Sequence, residues 1–300
     1  MTIRRMYPEL MSTFDAQGGV VRTPQLLGII TRRDMQRLLR SGVLVKIRRG
    51  IYCIGEPSLA TRLKALDLRC GEPVVPCLGT AAQFHGFNTE NTRDIHVLNP
   101  EGHLLVPERG LIPHRREGAP LLEVGGRLVT APAWTAVEFA RTLRRPRALA
   151  ALDAALRSGT CDRDELARAA RLQAGRRGIV KVRELVVLAR PEPESPMESV
   201  VRLMIIDAGI PDPTLQLEII DRDGHTWRVD FAWPEAMIAL EYDGFEAHST
   251  PDQIGRDRTK HEALTAMGWE VIHIVARDVF EDPRPWIYRL HQRLVGSLAA

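Results

Sequence analysis

The chain has 300 residues, 44% apolar and 26% charged, with a net charge of only +3, proportions ordinary for globular protein of two or three domains. No apolar run approaches the ~18 residues a membrane span needs, MTIRRMYPEL has no apolar region after its arginines, and Cys53, Cys70, Cys77 and Cys161 form no CxxC pair; membrane, secreted and zinc-ribbon classes are disfavoured and a cytoplasmic location is expected. The charge is uneven: residues 1–58 hold 10 Lys and Arg against 4 Asp and Glu, 59–185 hold 20 against 14, and 186–300 hold 11 against 20, so the first two segments suit a polyanion and the third does not.

Thr23-Pro24 offers a helix start, Thr as cap and Pro at the first helical position, with Leu26, Leu27 and Ile30 as the apolar stripe. Thr31 caps a second helix, Arg32 to Arg40, whose Met35, Leu38 and Leu39 face inward and whose Arg33, Arg37 and Arg40 face out. Ser41-Gly42 ends it. Val43 to Val45 and Ile47 to Tyr52 then read as a two-stranded wing carrying Lys46, Arg48 and Arg49. Helix, turn, basic helix and basic hairpin in this order give a winged helix-turn-helix over residues 1–58. Arg32, Arg33, Arg37, Arg40, Lys46, Arg48 and Arg49 are its expected DNA contacts.

The run from Thr23 through Leu26, Gly42, Val43 and Arg49-Gly50-Ile51-Tyr52 resembles the N-terminal domain of AbiE-type antitoxins. The resemblance implies an operator-binding domain that represses its own operon, and a cognate toxin or self-association as the protein partner.

Residues 59–189 read as a mixed α/β middle domain. A helix runs from Gly79-Thr80 to His85-Gly86, a strand from Asp94 to Asn99, and a hairpin turns at Gly125-Gly126. Thr130 caps a helix bearing Trp134, Val137 and Phe139, and Arg147 to Arg157 and Arg163 to Leu172 are two more. These pieces resemble the α/β part that follows the winged helix in AbiE-type antitoxins. His85, His96, His103 and His114 fall on separate elements, with no metal-ligand spacing. Arg190-Pro191-Glu192-Pro193-Glu194 then reads as a stiff boundary.

Ser195-Pro196-Met197-Glu198 is a capping box: serine at the N-cap, proline first, glutamate third. Met197, Val200, Val201, Met204 and Ile205 follow at helical spacing. Asp223-Gly224 joins two strands, and in the second Trp227, Val229, Phe231 and Trp233 alternate with Arg228, Asp230 and Ala232, which puts Asp230 opposite the aromatics. In the third strand Ile238, Leu240 and Tyr242 share one face and Glu241 and Asp243 the other. Acids on neighbouring strands repel unless a positive charge lies between them, and a divalent cation supplies one.

The order Ser-x-x-Glu198, Arg228-Val-Asp230-Phe, Glu241-Tyr-Asp243-Gly with His248 after it, Asp257-Arg258-Thr-Lys260 and Gly268-Trp-Glu-Val-Ile is similar to endonuclease-like domains related to very-short-patch repair, in the PD-(D/E)xK superfamily. It implies a restriction-endonuclease-like α/β domain over 195–300 and Mg²⁺ or Mn²⁺ as cofactor. Asp230, Glu241 and Glu198 would be the metal ligands, with Asp243, His248 and Lys260 in the catalytic set. Asp243 stands where the superfamily has lysine, so positive charge must come from His248, Arg258 or Lys260. The expectation is a multidomain α/β, DNA-binding, metal-dependent endonuclease; the alternative is an antitoxin and autorepressor whose nuclease-fold domain does not turn over.

Overall fold

The computed structural model describes residues 7–90, 93–102, 104–115, 118–244 and 251–298. The chain is α/β, and it divides into two compact units, Met1–Ala81 with Thr92–Ala131, and Ala82–Asn91 with Pro132–Ala300.

The first unit opens with α1 (Pro8–Ala16), β1 (Val21–Arg22), α2 (Thr23–Ile29), α3 (Arg32–Arg40), β2 (Leu44–Arg48) and β3 (Ile51–Ile54). The cap of α2 falls one residue earlier than expected: Arg22 is the N-cap, and Gln25 Oε1 accepts from its N–H at 2.9 Å. The Thr31 cap of α3 is as expected, its Oγ1 accepting from Asp34 N at 3.1 Å. Leu10, Phe14, Val21, Leu26, Ile30, Leu38, Leu44 and Tyr52 form one core, so the apolar stripes of three helices close on the sheet β1-β3-β2. Gly50 turns the β2–β3 hairpin at φ +72 and its carbonyl accepts from Thr23 N at 2.9 Å; a side chain there would strain the turn. The Arg-Gly-x-Tyr run thus has a mechanical reading: a left-handed turn residue, then a tyrosine in the core.

The unit continues through α4 (Leu59–Cys70), β4 (Val75–Pro76), α5 (Leu78–Phe84, whose last residues belong to the second unit), β5 (Ile95–Leu98), β6 (Leu111–His114), β7 (Leu121–Val124) and β8 (Arg127–Thr130). Strands β4-β5-β6 form one sheet and β7-β8 a hairpin. Helices α1 and α4 and strand β6 are absent from the sequence reading.

In the second unit α6 (Pro132–Thr142), α7 (Arg145–Arg157), α8 (Arg163–Leu172) and α9 (Ile179–Leu188) make a helical layer. Every residue from Ala148 to Ala155 of α7 is buried, Asp153 being the one charged residue among them; a helix buried all round belongs in the middle of its layer. Helix α10 (Pro196–Asp207) packs against α7. The segment 190–194 is no free spacer: Arg190 N donates to Asp153 Oδ1 at 2.8 Å, and Pro193 is buried.

A mixed four-stranded sheet follows, β12-β11-β10-β9 in order, from β9 (Thr214–Ile220), β10 (Thr226–Trp233), β11 (Ile238–Asp243) and β12 (Glu270–Val275). β11 and β12 are parallel, connected through α11 (Pro251–Ala266); α12 (Ala276–Phe280) and α13 (Arg284–Leu298) close the chain. One face of the sheet carries Ile238, Leu240, Ile272 and Ile274 against Val200, Val201 and Ile205 of α10 and Trp286, Leu290 and Leu294 of α13. The other carries Ala239 and Val271 against Leu264 of α11.

β9 and β10 depart from simple alternation. Trp227 and Val229 pack on the α11 face, but Phe231 and Trp233 pack on the α10 face. Leu217 and Ile219 of β9 sit on the α11 face and Leu215 on the other. Both strands switch faces at one rung, Gln216 opposite Asp230, which is missing from an otherwise continuous register of Val229↔Leu217 and Phe231↔Leu215. Gln216 has φ +51, a left-handed backbone that ordinary L residues enter at a cost. The expected placement of all four alternating residues on one face is therefore corrected: a left-handed residue across the ladder inverts the pleat.

Candidate functional sites: a basic helix face and a carboxylate cluster

In the first unit Arg32, Arg33, Arg37 and Arg40 of α3 are exposed, as are Lys46 and Arg49 at the hairpin. Arg37 is partly engaged, its guanidinium 2.9 Å from Asp34 and 3.1 Å from the Tyr7 hydroxyl. Arg48 departs from the expectation of a DNA contact. It is 7% exposed and donates to the carbonyls of Arg109 and Gly110, both at 3.0 Å, with Glu108 at 3.2 Å. A register shift between Lys46 and Arg48 turns it inward, so it anchors the hairpin and offers nothing to a ligand.

In the second unit the carboxylates gather around the inverted rung. Ser195 Oγ accepts from Glu198 N at 3.2 Å, which is half of the expected capping box. Glu198 does not return the bond to Ser195; its Oε2 accepts from Glu194 N and from Gln216 Nε2, each at 2.8 Å. Gln216 Nε2 also lies 3.3 Å from Asp230 Oδ1, while Asp230 Oδ2 accepts from Tyr242 N at 3.0 Å. One amide therefore ties a helix-borne glutamate to a strand-borne aspartate.

Glu241 projects to the α11 face and pairs with Lys260. In the parallel register Glu241 lies opposite His273 and Asp243 opposite Val275, and His273 Nδ1 is 3.0 Å from Asp243 Oδ2. One ligand atom each from Glu241, Asp243 and His273 lie within 4.8 Å of one another. Burial raises the Glu198, Asp230 and Glu241 carboxyls; the bonds from Glu194 N, Tyr242 N and Lys260 respectively pull back against it. The bond to Asp243 raises His273. Of the three cations considered from sequence, Lys260 alone is brought to the cluster among the described residues. Arg258 pairs with Glu262 at 2.8 Å on exposed helix, and His248 lies outside the described residues. Gln216 and His273 are the members that sequence reasoning missed; neither belongs to a charged motif.

Asp221, Asp223 and His225 also converge within 4.8 Å, but Asp221 accepts from the N–H groups of Asp223 and His225 and from Trp227 Nε1. That is the chemistry of a hairpin turn.

The middle-segment histidines are not all apart. Parallel β5 and β6 bring His96 Nδ1 to 2.9 Å from His114 Nε2 with the rings stacked, and burial lowers both, His114 to about 4. His85 is buried and stacks on Phe87. His103 lies outside the described residues. No helix among the described residues is long and apolar enough to cross a membrane.

Residues 74–188 match the family model of the AbiEi antitoxin C-terminal domain, a stretch that contributes β4–β6 and the β7–β8 hairpin to one unit and α6–α9 to the other. The chain is also 49% identical over 265 residues to two Mycobacterium tuberculosis proteins, "Uncharacterized protein MT2308" of strain CDC 1551 / Oshkosh and "Uncharacterized protein Rv2248" of strain ATCC 25618 / H37Rv. Each alignment covers 88% of this chain and 97% of the relative. The chain belongs to the family of these mycobacterial proteins, and its central segment matches the AbiEi antitoxin C-terminal domain model.

Proposed function

We propose that the protein is an antitoxin-type DNA-binding regulator, reading operator DNA through a winged helix-turn-helix formed by α2, α3 and the β2–β3 hairpin. The AbiEi antitoxin match over residues 74–188 carries the reading; the exposed arginines of α3 upstream of it supply the means. A helix of this size fits a major groove about 12 Å wide. Arg32, Arg33 and Arg40 contact phosphates or guanine edges, Lys46 and Arg49 add phosphate contacts, and Arg37 joins once freed from Asp34. A cognate toxin, or a second copy of the chain, is the protein partner. Gel shifts with the DNA upstream of its own gene test this. Arg33→Glu with Arg40→Glu abolishes a specific shift; a wild-type chain without preference for that DNA sinks the reading.

A second activity is proposed on one specific observation, the meeting of Glu198, Asp230, Glu241 and Lys260 around the inverted rung. In this reading residues 195–300 are a restriction-endonuclease-like domain that hydrolyses phosphodiester bonds. Asp230, Glu241 and Glu198 offer oxygen donors of the kind Mg²⁺ takes; of these, Glu241 converges within 4.8 Å with Asp243 and His273, whose nitrogen widens the choice to Mn²⁺, while Asp230 and Glu198 meet at the Gln216 amide. Bound there, the cation would polarise a phosphoryl oxygen and acidify a water. Lys260 balances Glu241, and Asp243 holds His273 for a contact to phosphate. Incubating the protein and Asp230→Ala with single- and double-stranded DNA, in Mg²⁺, Mn²⁺ or EDTA, separates the readings. Cleavage that needs metal and is lost in the variant supports the nuclease; operator binding without cleavage leaves the regulator alone.

A further inference from the structure

We propose that Gln36 of α3 reads an adenine in the major groove of the operator and sets the sequence preference there, while the arginines around it supply affinity. This deepens, and rests on, the regulator reading of the first unit. On α3, Leu38 is buried and Met35 and Leu39 are half-buried against the core. The opposite side of the helix carries Arg33, Gln36, Arg37 and Arg40, spaced so that all four share one face. All four are exposed, and they line one open concavity along the helix.

These side chains differ in what they have left to offer a ligand. Arg37 is engaged, its Nη2 lying 2.9 Å from Asp34 Oδ1 and 3.1 Å from the Tyr7 hydroxyl. Among the described residues Arg33, Gln36 and Arg40 have no such side-chain tie. Gln36 alone of the four is neutral. A carboxamide neutralises no phosphate and releases no counterion, so it adds little to the charge-driven binding its neighbours supply. What it has and they lack is an acceptor. Its oxygen and NH₂ stand side by side, the complement of N7 and N6–H₂ on adenine; a guanidinium, all donors, suits guanine O6 and N7 instead. Arg33 and Arg40 stand about 10 Å apart along the helix axis, with Gln36 between them, so two cations bracketing the amide hold it over the base edges.

The experiment is fluorescence anisotropy of the full chain on labelled duplexes from the DNA upstream of its own gene. Each base pair of the bound stretch is replaced in turn, and circular dichroism is the folding control. Wild type is expected to lose about 10–100-fold in affinity on replacement of one A·T pair per α3 helix bound. Gln36→Ala loses the preference at that pair and at no other, with the slope of affinity against salt unchanged, since no phosphate contact is removed. Gln36→Arg moves the preference at that pair from A·T to G·C, a gain that no loss of folding imitates. A glutamine serving only as helix surface would leave no mark on base preference. Unaltered preference in folded Gln36→Ala, or a loss that falls at a pair other than A·T, overturns the role given to Gln36. A wild-type chain that binds every duplex alike overturns the operator reading itself, so the two failures are told apart.

Discussion

Asp153 of α7 and Arg202 of α10 close an ion pair at 3.0 Å with both side chains essentially out of solvent, 0% and 1% exposed. Asp153 accepts as well from the N–H of Arg190, so one aspartate gathers three segments of the second unit: the middle of the AbiEi-matched layer, the proline-rich stretch, and the helix that carries Glu198. Removing one partner strands the other charge in the core. Asp153→Ala or Arg202→Met should each cost about 3–5 kcal/mol in urea unfolding. The double variant Asp153→Leu with Arg202→Met should recover much of that, since an apolar pair of similar volume is often as stable. Equal losses in single and double variants would contradict the account.

Stability should depend on pH in an uncommon direction. Burial raises Glu198, Asp230 and Glu241 above the ordinary carboxylate values of 4.5, 3.8 and 4.5, so the folded chain binds more protons than the unfolded one just above those values. Stability then falls as pH rises through the raised native values. His273 acts in the same sense: held above 6.5 by Asp243, it contributes stability below 6.5 that is lost as pH climbs through its folded value. Melting curves in EDTA should therefore show wild type gaining stability relative to Glu241→Gln on acidification from pH 8 to 5. A difference that does not change with pH would refute the assignment.

Two arginines of the same basic segment should separate cleanly in assays. Arg33→Glu leaves the unfolding free energy within about 0.5 kcal/mol of wild type, as exposed substitutions do, and weakens DNA binding while lowering its salt dependence. Arg48→Met costs about 1–3 kcal/mol of stability by orphaning the carbonyls of Arg109 and Gly110. Its salt slope should match that of wild type. A lowered slope in a folded Arg48→Met protein would put Arg48 on the binding face after all.

The cysteines should be silent. All four are free and buried, and desolvation pushes Cys53 to about 11 and Cys161 to about 12. Because the thiolate is the reacting species, a thiol reagent at pH 8 should label the native chain far more slowly than the chain in guanidinium. Rapid labelling of Cys53 or Cys161 in the native chain would count against the packing around them.

Helix α3 is legible in the sequence because its cap, its stripe and its stop all agree. The faces of β11 are legible too: Ile238, Leu240 and Tyr242 do share one side. Helix α9 is not, since Ile179, Val180, Val182, Val186 and Val187 favour strand and Gly178 offers no side-chain cap; burial of Ile179, Val182, Leu185 and Val186 decides it. The rung at Gln216 is invisible for another reason. The sign of a backbone angle at a glutamine leaves no mark in composition or period, so the alternation in β10 reads as unbroken when it is not. His273 reaches the carboxylates only through parallel pairing across the α11 crossover, a contact that periodicity within either strand does not contain.

The anchorage of Arg48 also bears on the thermodynamics of any encounter with a polyanion. Fixing one backbone residue costs about 1–2 kcal/mol in conformational entropy, and a hairpin left to wander would meet that cost on binding. Here two carbonyls and a glutamate clamp the end of β2 beforehand, so Lys46 and Arg49 sit on a template that is rigid before anything arrives. On the proposed DNA-binding reading, a surface preorganised in this way would bind a polyanion with little ordering penalty.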